Sequence, residues 1–556
     1  MKLFLQNKSM FFIIALGIIQ IASASVEGGP TSAEDLKGLI GFDIELTSVW
    51  DEAERQGAEI FWAQPTTVEQ IQKLVAAAET HGLHVRPYGA KHSGSPLFAD
   101  RGNIGLDLSL LQGNKFTIDK EKMLVSSLAS ATLGELHEFN RNNSVTIPSG
   151  PVTGEPTLQG ATGTSAHGSI KEEGLIGTYV YALDLVDSKG RMRHFNYDDH
   201  KDVITACKVH LGMCGIIYNT TVKVVSDRVF KFIKSEMKVS DLLLNQENRK
   251  DFAMRNYGVN IKWNVFSNAT EEEIKARDAD KLFRPPDSWS PANDSVTVWS
   301  LNPVDDNSVI PNKLVKFAES FQLKDGTVIQ GIADYRMASE TIIFQWSTAA
   351  VGSITRWDVA VATPETEDFS ASQKMLENYF DVCETAIRTI GFYRDSFGFF
   401  RWTSHKDDCT LCHTKNANDF KMLFEFEYGV ACRPCNKNLL NELARDKVWS
   451  STFATRLMSN NSRILPHWAK YYDYIPGIID HLRQNYGNNF DEFIRTRNQE
   501  DLDPDNMFTN SHLRTLFHDA IVGNEKKKSC SNILQFKRMV IKNLFKSVNL
   551  IDTCKA

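Results

Sequence analysis

The chain has 556 residues, 42% of them hydrophobic and 24% charged, which is the composition of an ordinary globular protein. That length allows a large buried core and should fold as two or three domains. The net charge of −7 argues against a nucleic-acid-binding protein, because such proteins need a basic face, and we expect no nucleic-acid partner.

Residues 1–24 have the pattern of a signal peptide. Lys2 and Lys8 precede an apolar run from Met10 to Ile21, and Ala22-Ser23-Ala24 follows as a small-x-small cleavage site. A membrane anchor is the less favoured alternative, because the run is short for a membrane span. We therefore expect a protein that is secreted or lies in the endomembrane lumen. N-glycosylation sequons that this location would expose occur at Asn142, Asn219, Asn268, Asn293 and Asn460.

Residues 55–226 mix short strands with helices and many glycines. Hydrophobic periodicity predicts helices over Thr66–Gly82 and Thr132–Asn142. Short β-rich runs predict strands over Val85–Tyr88, Ile104–Leu108, Met123–Ser127 and Ile216–Val225. The segments Tyr179–Val186 and Met192–Phe195, separated by Ser188-Lys189-Gly190, predict a hairpin.

The pattern changes over residues 227–460. Alternating apolar stretches at Val259–Phe266, Thr341–Trp346, Ile354–Val361 and Lys421–Tyr428 predict an antiparallel sheet. Helices such as Ser372–Ile390 should cover this sheet. In the next region, 461–520, we expect helices around Ile475–Asn485 and Phe490–Arg497.

The segment 525–556 is a basic tail with eight Lys or Arg and two acidic residues. Its apolar residues recur at helical spacing, which predicts a basic amphipathic helix. Such a helix is more often packed on the body of the protein with a solvated basic face. Peripheral contact with a membrane surface, or docking of a partner, is the alternative.

Two glycine-rich loops are the most informative stretches. The first, Arg86–Pro96 (RPYGAKHSGSP), follows a predicted strand, and the second extends from Gly150 to Gly168. Such loops can present backbone N–H groups to phosphate, although many are only turns. Neither has the Rossmann or Walker pattern. Two such loops within one region suit an extended dinucleotide with a pyrophosphate.

The order of these motifs resembles the FAD domain of the vanillyl-alcohol-oxidase superfamily. The matching features are Gly89-x-x-His92-Ser93, the loop ending in His167-Gly168, VYALDLVDSKG and KVHLGMCGII. Within the superfamily the chain is most similar to the aldonolactone oxidase branch, which includes L-gulonolactone, arabinonolactone and alditol oxidases. Pro466-His-Trp-Ala-Lys470 matches the HWAK-type signature of that branch, and Leu502–Asn510 matches its closing segment.

The resemblance implies a fold and a set of domains. We expect an α+β protein with a PCMH-type FAD-binding domain of two subdomains over residues 55–226. A substrate domain, an antiparallel sheet covered by helices, should occupy residues 227–460. The HWAK-containing segment over residues 461–520 should return to the FAD domain.

The resemblance also implies that FAD binds between the two loops and is covalently attached to His92. The alternative for His92 is a loop histidine that only forms a hydrogen bond. The other positions that match cofactor contacts of the family are Gly89, Ala90, Lys91, Ser93, Gly150, Gly160, Thr164, Ser165, His167, Gly168 and Ile217. A second, cysteinyl link is not expected, because residues 150–168 contain no cysteine.

On the substrate side, the resemblance implies that Arg401, His467 and Lys470 are catalytic. Cations at such positions would stabilise the anionic reduced flavin. The alternatives are a surface salt bridge for Arg401 and a solvated helix end for Lys470. The family has a glutamate where this chain has Phe399.

Two other groups of residues depart from the family. Glu425 and Glu427 could replace the missing carboxylate, although alternating glutamates more often mark a solvent-exposed strand face. Ser130 stands where the oxidases have glycine, and Ser165-Ala166 stands where they have Gly-Thr. These changes put fast reaction with oxygen in doubt more than FAD binding.

Nine cysteines include Cys409-x2-Cys412 and Cys432-x2-Cys435, a spacing that also fits a zinc ribbon. Behind a signal peptide we favour disulfides, so we expect no metal site and at least one unpaired cysteine. Asp501-x-Asp503-x-Asp505 imitates the start of a calcium loop but lacks its closing glutamate. We interpret it as a turn with helix-capping aspartates.

Taken together, the sequence predicts an FAD-dependent oxidoreductase acting on a sugar-derived lactone or polyol, with oxygen or another acceptor. One alternative is a carbohydrate oxidase or dehydrogenase of different specificity. The other, motivated by Phe399, is a secreted flavin-binding protein with little catalysis.

Overall fold

The computed structural model describes residues 32–48, 59–151, 153–267, 285–306, 308–341, 355–390, 396–406, 409–417, 420–432, 454–456, 458–459 and 461–523. The predicted signal peptide, the basic tail, most of the predicted strand Thr341–Trp346 and Cys435 lie outside these residues. Within them, no helix is both long and apolar enough to cross a membrane.

The first sheet contains both parallel and antiparallel pairs, with the order β1-β2-β4-β3. Its elements are α1 (Ala33–Ile40), β1 (Ile44–Ser48), β2 (Glu59–Ala63), α2 (Val68–His81), β3 (Val85–Tyr88) and β4 (Ile104–Asp107). Helix α2 confirms the predicted helix. It begins after Thr67 with a capping box that includes Gln70, and it ends at Gly82, whose φ is 65°.

The second sheet is antiparallel, with the order β5-β6-β10-β8-β9. Strands β7 and β11 form a separate antiparallel pair. The elements of this part are β5 (Phe116–Asp119), β6 (Leu124–Leu128), α3 (Leu133–Asn142), β7 (Val145–Thr146), α4 (Leu158–Gly163), β8 (Val180–Val186), β9 (Met192–Asn196), α5 (Lys201–Cys207), β10 (Ile216–Lys223) and β11 (Val225–Ser226). The predicted hairpin is confirmed as β8 and β9.

The third sheet is antiparallel and has nine strands in the described part of the chain, with the order β15-β16-β12-β14-β13-β18-β19-β17-β20. Its strands are β12 (Val229–Lys238), β13 (Gly258–Asn264), β14 (Ser295–Pro303), β15 (Asn312–Gln322), β16 (Val328–Met337), β17 (Thr355–Pro364), β18 (Ser396–Ser404), β19 (Met422–Cys432) and β20 (Leu465–Pro466). The helices of this part are α6 (Val239–Leu242), α7 (Gln246–Arg255), α8 (Ala338–Thr341) and α9 (Ser370–Ile390).

Helix α9 covers the third sheet, as predicted. Its Tyr379 is fully buried and packs edge-on against Phe400 and Phe426, which lie on β18 and β19. The α+β class and the helix-covered antiparallel sheet are therefore confirmed.

The C-terminal part contains α10 (Ile478–Gln499) and α11 (Ser511–Leu516). Two helices were predicted where α10 lies, and this is confirmed, because α10 consists of two helical segments that meet at a kink at Gly487, whose backbone is non-helical. After α10 the chain returns to the first sheet, because Val85 N donates to Met507 O at 3.1 Å. This return was predicted and places the C-terminal segment against the first glycine-rich loop.

The acidic motif after α10 is a turn, as expected. Asp503 is fully buried and accepts hydrogen bonds from the backbone N–H groups of Met507 and Phe508. The prediction that its aspartates cap a helix is wrong, because Asn510 caps α11 through its side chain.

Candidate active site

A cleft with about 1420 Å³ of empty space, including the part open to solvent, joins the two glycine-rich loops, β18 and the HWAK segment. Eleven residues singled out from the sequence line it, namely Gly89, Ala90, Lys91, His92, Ser93, Gly160, Thr164, His167, Arg401, His467 and Lys470. The fold thus gathers residues from four distant parts of the chain at one site.

The first glycine-rich loop is held by hydrogen bonds at both ends. At its start, Arg86 of β3 is buried and donates to the carbonyls of Leu97, Leu211 and Phe508 at 2.7, 2.6 and 2.5 Å. Near its end, Gly94 N donates to Ala469 O at 2.6 Å. The loop carrying His92 is therefore held directly against the segment that carries Lys470.

Four predicted cofactor contacts do not line the cleft. Gly150 and Gly168 pack against each other, and a Cβ at Gly168 would lie 2.7 Å from Gly150 O, so close packing explains these glycines. Ser165 is fully buried with a φ of 65°, and Ile217 lies in the hydrophobic core on β10. None of these four residues is exposed to the cleft in the described structure.

The lining of the cleft suits an anionic, polar ligand such as FAD. Of the described residues that line it, four are cations (Arg86, Lys91, Arg401 and Lys470) and none is a carboxylate. The lining also contains a buried polar atom without a hydrogen-bond partner in the described structure, Gln159 Oε1. A dinucleotide with a pyrophosphate would supply the missing charge and hydrogen bonds.

Arg401 is fixed by a buried carboxylate on the neighbouring strand. It lies opposite Glu425 in the β18–β19 register, and its Nε and one terminal nitrogen donate to Glu425 Oε1 at 3.1 and 2.7 Å. Glu425 is fully buried and Arg401 is 7% exposed. The arginine predicted from the sequence therefore faces the cleft in one fixed orientation.

The expectation that Glu425 lies on a solvent face is wrong. Its neighbours Phe424 and Phe426 are also buried, so β19 is covered on both sides. Glu425 does not line the cleft and is engaged with Arg401, so it does not provide a substrate contact in place of the missing glutamate. Phe399, which takes that position, is 8% exposed, and the side chain of Glu427 lies outside the described part of the chain.

Three buried histidines gather around this ion pair. His167 Nε2 and His413 Nε2 lie 2.5 and 3.1 Å from Glu425 Oε2, and the ring of His467 lies 4.8 Å from that of His413, centroid to centroid. Burial raises the pKa of the Glu425 carboxyl, but His167, Arg401 and His413 outweigh it and hold that pKa well below its usual range. Burial lowers the pKa of both His413 and His467.

The disulfide prediction is confirmed for one of the two CxxC pairs. Cys409 and Cys412 are bonded, Cys207 and Cys214 form a second bridge, and Cys383 is a buried free thiol. A zinc site made by all four CxxC cysteines is therefore absent, because its first pair is oxidised.

The Cys409–Cys412 turn supports the wall of the cleft. The Leu411 carbonyl accepts a hydrogen bond of 2.6 Å from Trp468 Nε1, and the Cys412 carbonyl accepts one of 3.1 Å from Tyr486. The disulfide thereby positions His413 and the HWAK segment.

Two family models match separate segments of this chain. A family described as FAD binding domain matches residues 61–196, and one described as D-arabinono-1,4-lactone oxidase matches residues 449–516. L-gulonolactone oxidase of Mus musculus is 28% identical over 29% of this chain and 36% of its own length. D-arabinono-1,4-lactone oxidase of Debaryomyces hansenii is 23% identical over 41% of this chain and 42% of its own length.

The resemblance to the aldonolactone oxidases is confirmed. This aldonolactone-oxidase-like chain spans less than half the length of the curated relatives it matches. Its fold is shared with chitooligosaccharide oxidase, with a TM-score of 0.62 at 11% identity over 86% of this chain and 98% of the other. A solvent-stable cholesterol oxidase also shares the fold, with a TM-score of 0.61 at 13% identity over 85% of this chain and 98% of the other.

Sequence reasoning missed His413, Gln159 and His210 as parts of the site. His413 directly follows the CxxC pair, so its place depends on a turn that the disulfide closes. Gln159 and His210 line the cleft from the second loop and from the VHLG stretch. Their signal was present, since both lie inside motifs that carried the resemblance, but these two positions were not interpreted.

Proposed function

We propose that this protein is an FAD-dependent oxidoreductase that oxidises a CH–OH group of a sugar-derived lactone or polyol. The observation that carries the proposal is one cleft that brings both glycine-rich loops together with Arg401, His467 and Lys470. FAD, when bound, would supply the hydride acceptor and pass the electrons to oxygen or another acceptor.

The side chains of the site would bind and orient the substrate and stabilise negative charge. Arg401 and Lys470 bring fixed positive charge to a cleft that has no carboxylate in its described lining. His467 Nδ1 accepts the N–H of Ala469 at 3.0 Å, so the neutral ring carries its proton on Nε2 and can donate it to an oxygen in the cleft.

A substrate screen tests the proposed activity. Purified protein supplied with FAD should oxidise L-gulono-1,4-lactone or D-arabinono-1,4-lactone, seen as peroxide release or as reduction of a dye. Chito-oligosaccharides and xylitol belong in the same screen, because oxidation of one of them and of neither lactone would indicate a carbohydrate oxidase or dehydrogenase of different specificity. A yellow protein that oxidises none of them, with either acceptor, would favour the alternative of a flavin-binding protein with little catalysis.

Within this function, we propose that His92 carries the flavin covalently. The support is its position in the cleft lining, on the loop between Gly89 and Gly94 that is fastened to the HWAK segment. Acid precipitation of wild-type protein should leave the flavin on the polypeptide, and His92→Ala should release it. Complete release from the wild type would refute the link while leaving FAD binding in place.

We also propose that the protein passes through the secretory pathway, with glycosylation and peripheral membrane contact of the basic tail as further expectations. Two disulfides in the described structure support it, because such bonds persist mainly in oxidising compartments. N-terminal sequencing of native protein should begin near Ser25. Recovery of residues that precede Ile21 would contradict the cleavage.

A further inference from the structure

Glu425 is a buried carboxylate that accepts hydrogen bonds from two distant parts of the chain. Its Oε1 accepts two from Arg401, at 3.1 and 2.7 Å, and its Oε2 accepts one from His413 Nε2 at 3.1 Å. All three side chains are buried, but of these three only Arg401 lines the cleft. Glu425 therefore binds a cation of the cleft without lining the cleft itself.

The backbone of Glu425 is held on both sides. Strand β19 pairs with β18, where Glu425 lies opposite Arg401, and with β17, where it lies opposite Ala362. Its neighbours along the strand, Phe424 and Phe426, are also buried. The carboxylate thus starts from a fixed point, and it can define where the guanidinium lies.

His413 is fixed by contacts of its own. It directly follows Cys412, whose disulfide with Cys409 closes a turn, and the Cys412 carbonyl accepts a hydrogen bond of 3.1 Å from Tyr486. An ionised carboxylate can only accept, so His413 Nε2 carries the proton of its bond to the glutamate. This bond holds Oε2 of the glutamate and leaves Oε1 for Arg401.

His167 lies close to the same carboxylate but takes no part in this arrangement. Its Nε2 is 2.5 Å from Glu425 Oε2, yet it makes no hydrogen bond in the described structure. The hydrogen bonds that hold the carboxylate in this part of the chain are therefore those of Arg401 and His413.

A metal ion among His167, His413 and His467 is the competing explanation, since one ligand atom of each lies within 4.8 Å of the others. A histidine binds a metal through a ring nitrogen that carries no proton. His467 Nδ1 accepts the N–H of Ala469, so the proton of the neutral ring is on Nε2 and no lone pair remains for a metal. That leaves two histidine ligands beside the positive charge of Arg401, which disfavours a metal.

We propose that Glu425 and His413 are positioning residues that hold the Arg401 guanidinium in the orientation that binds an anion in the cleft. The consequence for catalysis rests on the proposed function: a fixed Arg401 would stabilise negative charge that develops during oxidation. The proposal fixes the sign of the effect. A nearby carboxylate repels an anion by its charge alone, whereas Glu425 should strengthen anion binding because it orients the cation.

Binding of sulfite to the FAD-loaded protein tests this sign and needs no substrate. Sulfite is a small anion that adds reversibly to oxidised flavin and bleaches its visible absorbance, so a titration gives its dissociation constant. Arg401→Ala should weaken sulfite binding by roughly 100-fold and Glu425→Gln by roughly 10-fold, because the charged donor is lost in one and misplaced in the other. Glu425→Asp, which keeps the charge and withdraws the carboxylate, should weaken it too. Unchanged or tighter binding in Glu425→Gln would overturn the proposal.

A double-mutant cycle shows whether Glu425 acts through Arg401. In the Arg401→Ala background, Glu425→Gln should weaken sulfite binding no further. The matched control is Glu365→Gln, which removes another fully buried carboxylate that bonds Trp402 and Ser372, and it should leave sulfite binding unchanged. A further loss in the double variant, or an equal loss in the control, would contradict a specific role for Glu425.

A matched pair of variants tests His413. His413→Leu removes the donor and should weaken sulfite binding, although less than Glu425→Gln does. His413→Gln offers an amide N–H at a similar reach and should restore most of the affinity. Equal weakening in both variants would refute the role of this hydrogen bond. A stoichiometric metal whose removal weakens sulfite binding as much as Glu425→Gln would overturn the assignment to positioning.

A crystal structure of Glu425→Gln gives a readout that does not depend on the flavin. The Arg401 guanidinium should leave its wild-type position or occupy more than one orientation, and an unchanged guanidinium would overturn the proposal. If the protein binds no flavin, the proposed function fails and this structure alone decides the inference. If sulfite binds but no lactone or polyol is oxidised, the proposed activity fails while the sulfite series still decides the roles of Glu425 and His413.

Discussion

At the scale of single residues, Arg401 and Lys470 lie 69 positions apart in sequence and meet only at the cleft. Replacing either with alanine should slow oxidation by roughly 100- to 1,000-fold, because a positioned donor in a water-poor site is lost. The measurement is the rate of flavin reduction at saturating substrate, with the bound flavin quantified in each variant. Wild-type rates in both variants would remove these residues from the mechanism.

Phe399 should influence which substrates are accepted, although it is not among the residues that line the cleft. Without the family's glutamate at this position a small polyol would lose a hydrogen-bond acceptor, and each buried hydroxyl left unpaired costs about 1–3 kcal/mol. Phe399→Glu should therefore raise kcat/KM for xylitol relative to a lactone by roughly 5- to 100-fold. Phe399→Leu is the control and should leave the ratio unchanged. Efficient oxidation of xylitol by the wild type would show that Phe399 does not set specificity.

The resemblance predicted the residues that face the cleft better than those behind it. His92, Arg401, His467 and Lys470 lie in short motifs that can be matched one position at a time. Glu425 could not be interpreted in this way, because its role depends on the β18–β19 register and on a histidine from another loop. A buried carboxylate and an exposed one look alike in a sequence until both faces of the strand are known.

At the scale of secondary-structure elements, Arg86 connects three segments of the chain. Its guanidinium donates hydrogen bonds to the backbone carbonyls of Leu97, Leu211 and Phe508. Burial lowers the pKa of Arg86 to about 10, so it stays charged at neutral pH. Arg86→Lys keeps the charge but cannot span these carbonyls. It should reduce the free energy of unfolding by about 3 kcal/mol, because buried acceptors lose charged donors.

Urea unfolding, followed by fluorescence, measures this loss. The matched control is Arg101→Lys, which alters an exposed ion pair with Glu59 and should change stability by no more than about 0.5 kcal/mol. Equal stability of Arg86→Lys and the wild type would show that the C-terminal segment is held by other contacts.

Local signals predicted most elements of the first two sheets. Helix α2 has both a capping box and a glycine stop, and the β8–β9 hairpin has a turn signal between two β-rich runs. The two helices predicted in the C-terminal part are the two segments of α10, which a kink at Gly487 separates. The rings of Tyr486 and Phe490 stack on each other across this kink.

At the scale of the whole molecule, the strand order of the third sheet could not be predicted. Strand β13 pairs with β14 and with β18, although β18 begins more than a hundred residues later. Alternation of apolar and polar residues in the sequence identifies a strand, but it does not indicate which other strand pairs with it. The cleft depends on this order, because it places Arg401 opposite Glu425.

Acid should destabilise the folded protein over a defined pH range. Burial lowers the pKa of His137 and of His210 to about 4, against about 6.5 in the unfolded chain. Between these values the unfolded state binds more protons, so stability falls as the pH is lowered from 6.5 to 4. Each histidine should contribute roughly 3 kcal/mol to this loss.

His137→Leu offers the sharpest test of that loss, because both ring nitrogens of His137 lack a hydrogen-bond partner in the described structure. In His137→Leu the slope of the unfolding free energy against pH should decrease over this range, by an amount that corresponds to about one fewer proton taken up on unfolding. An unchanged slope would show that His137 becomes protonated in the folded protein.

We propose that this cleft binds FAD and that a sugar-derived lactone reduces it there. The most direct measurement is the visible spectrum of the purified, FAD-supplied protein after anaerobic mixing with L-gulono-1,4-lactone or D-arabinono-1,4-lactone. We predict that the yellow flavin absorbance bleaches with one of them and returns on admission of oxygen or a dye. A protein that binds no flavin, or whose flavin stays oxidised with both lactones, would contradict the proposed function.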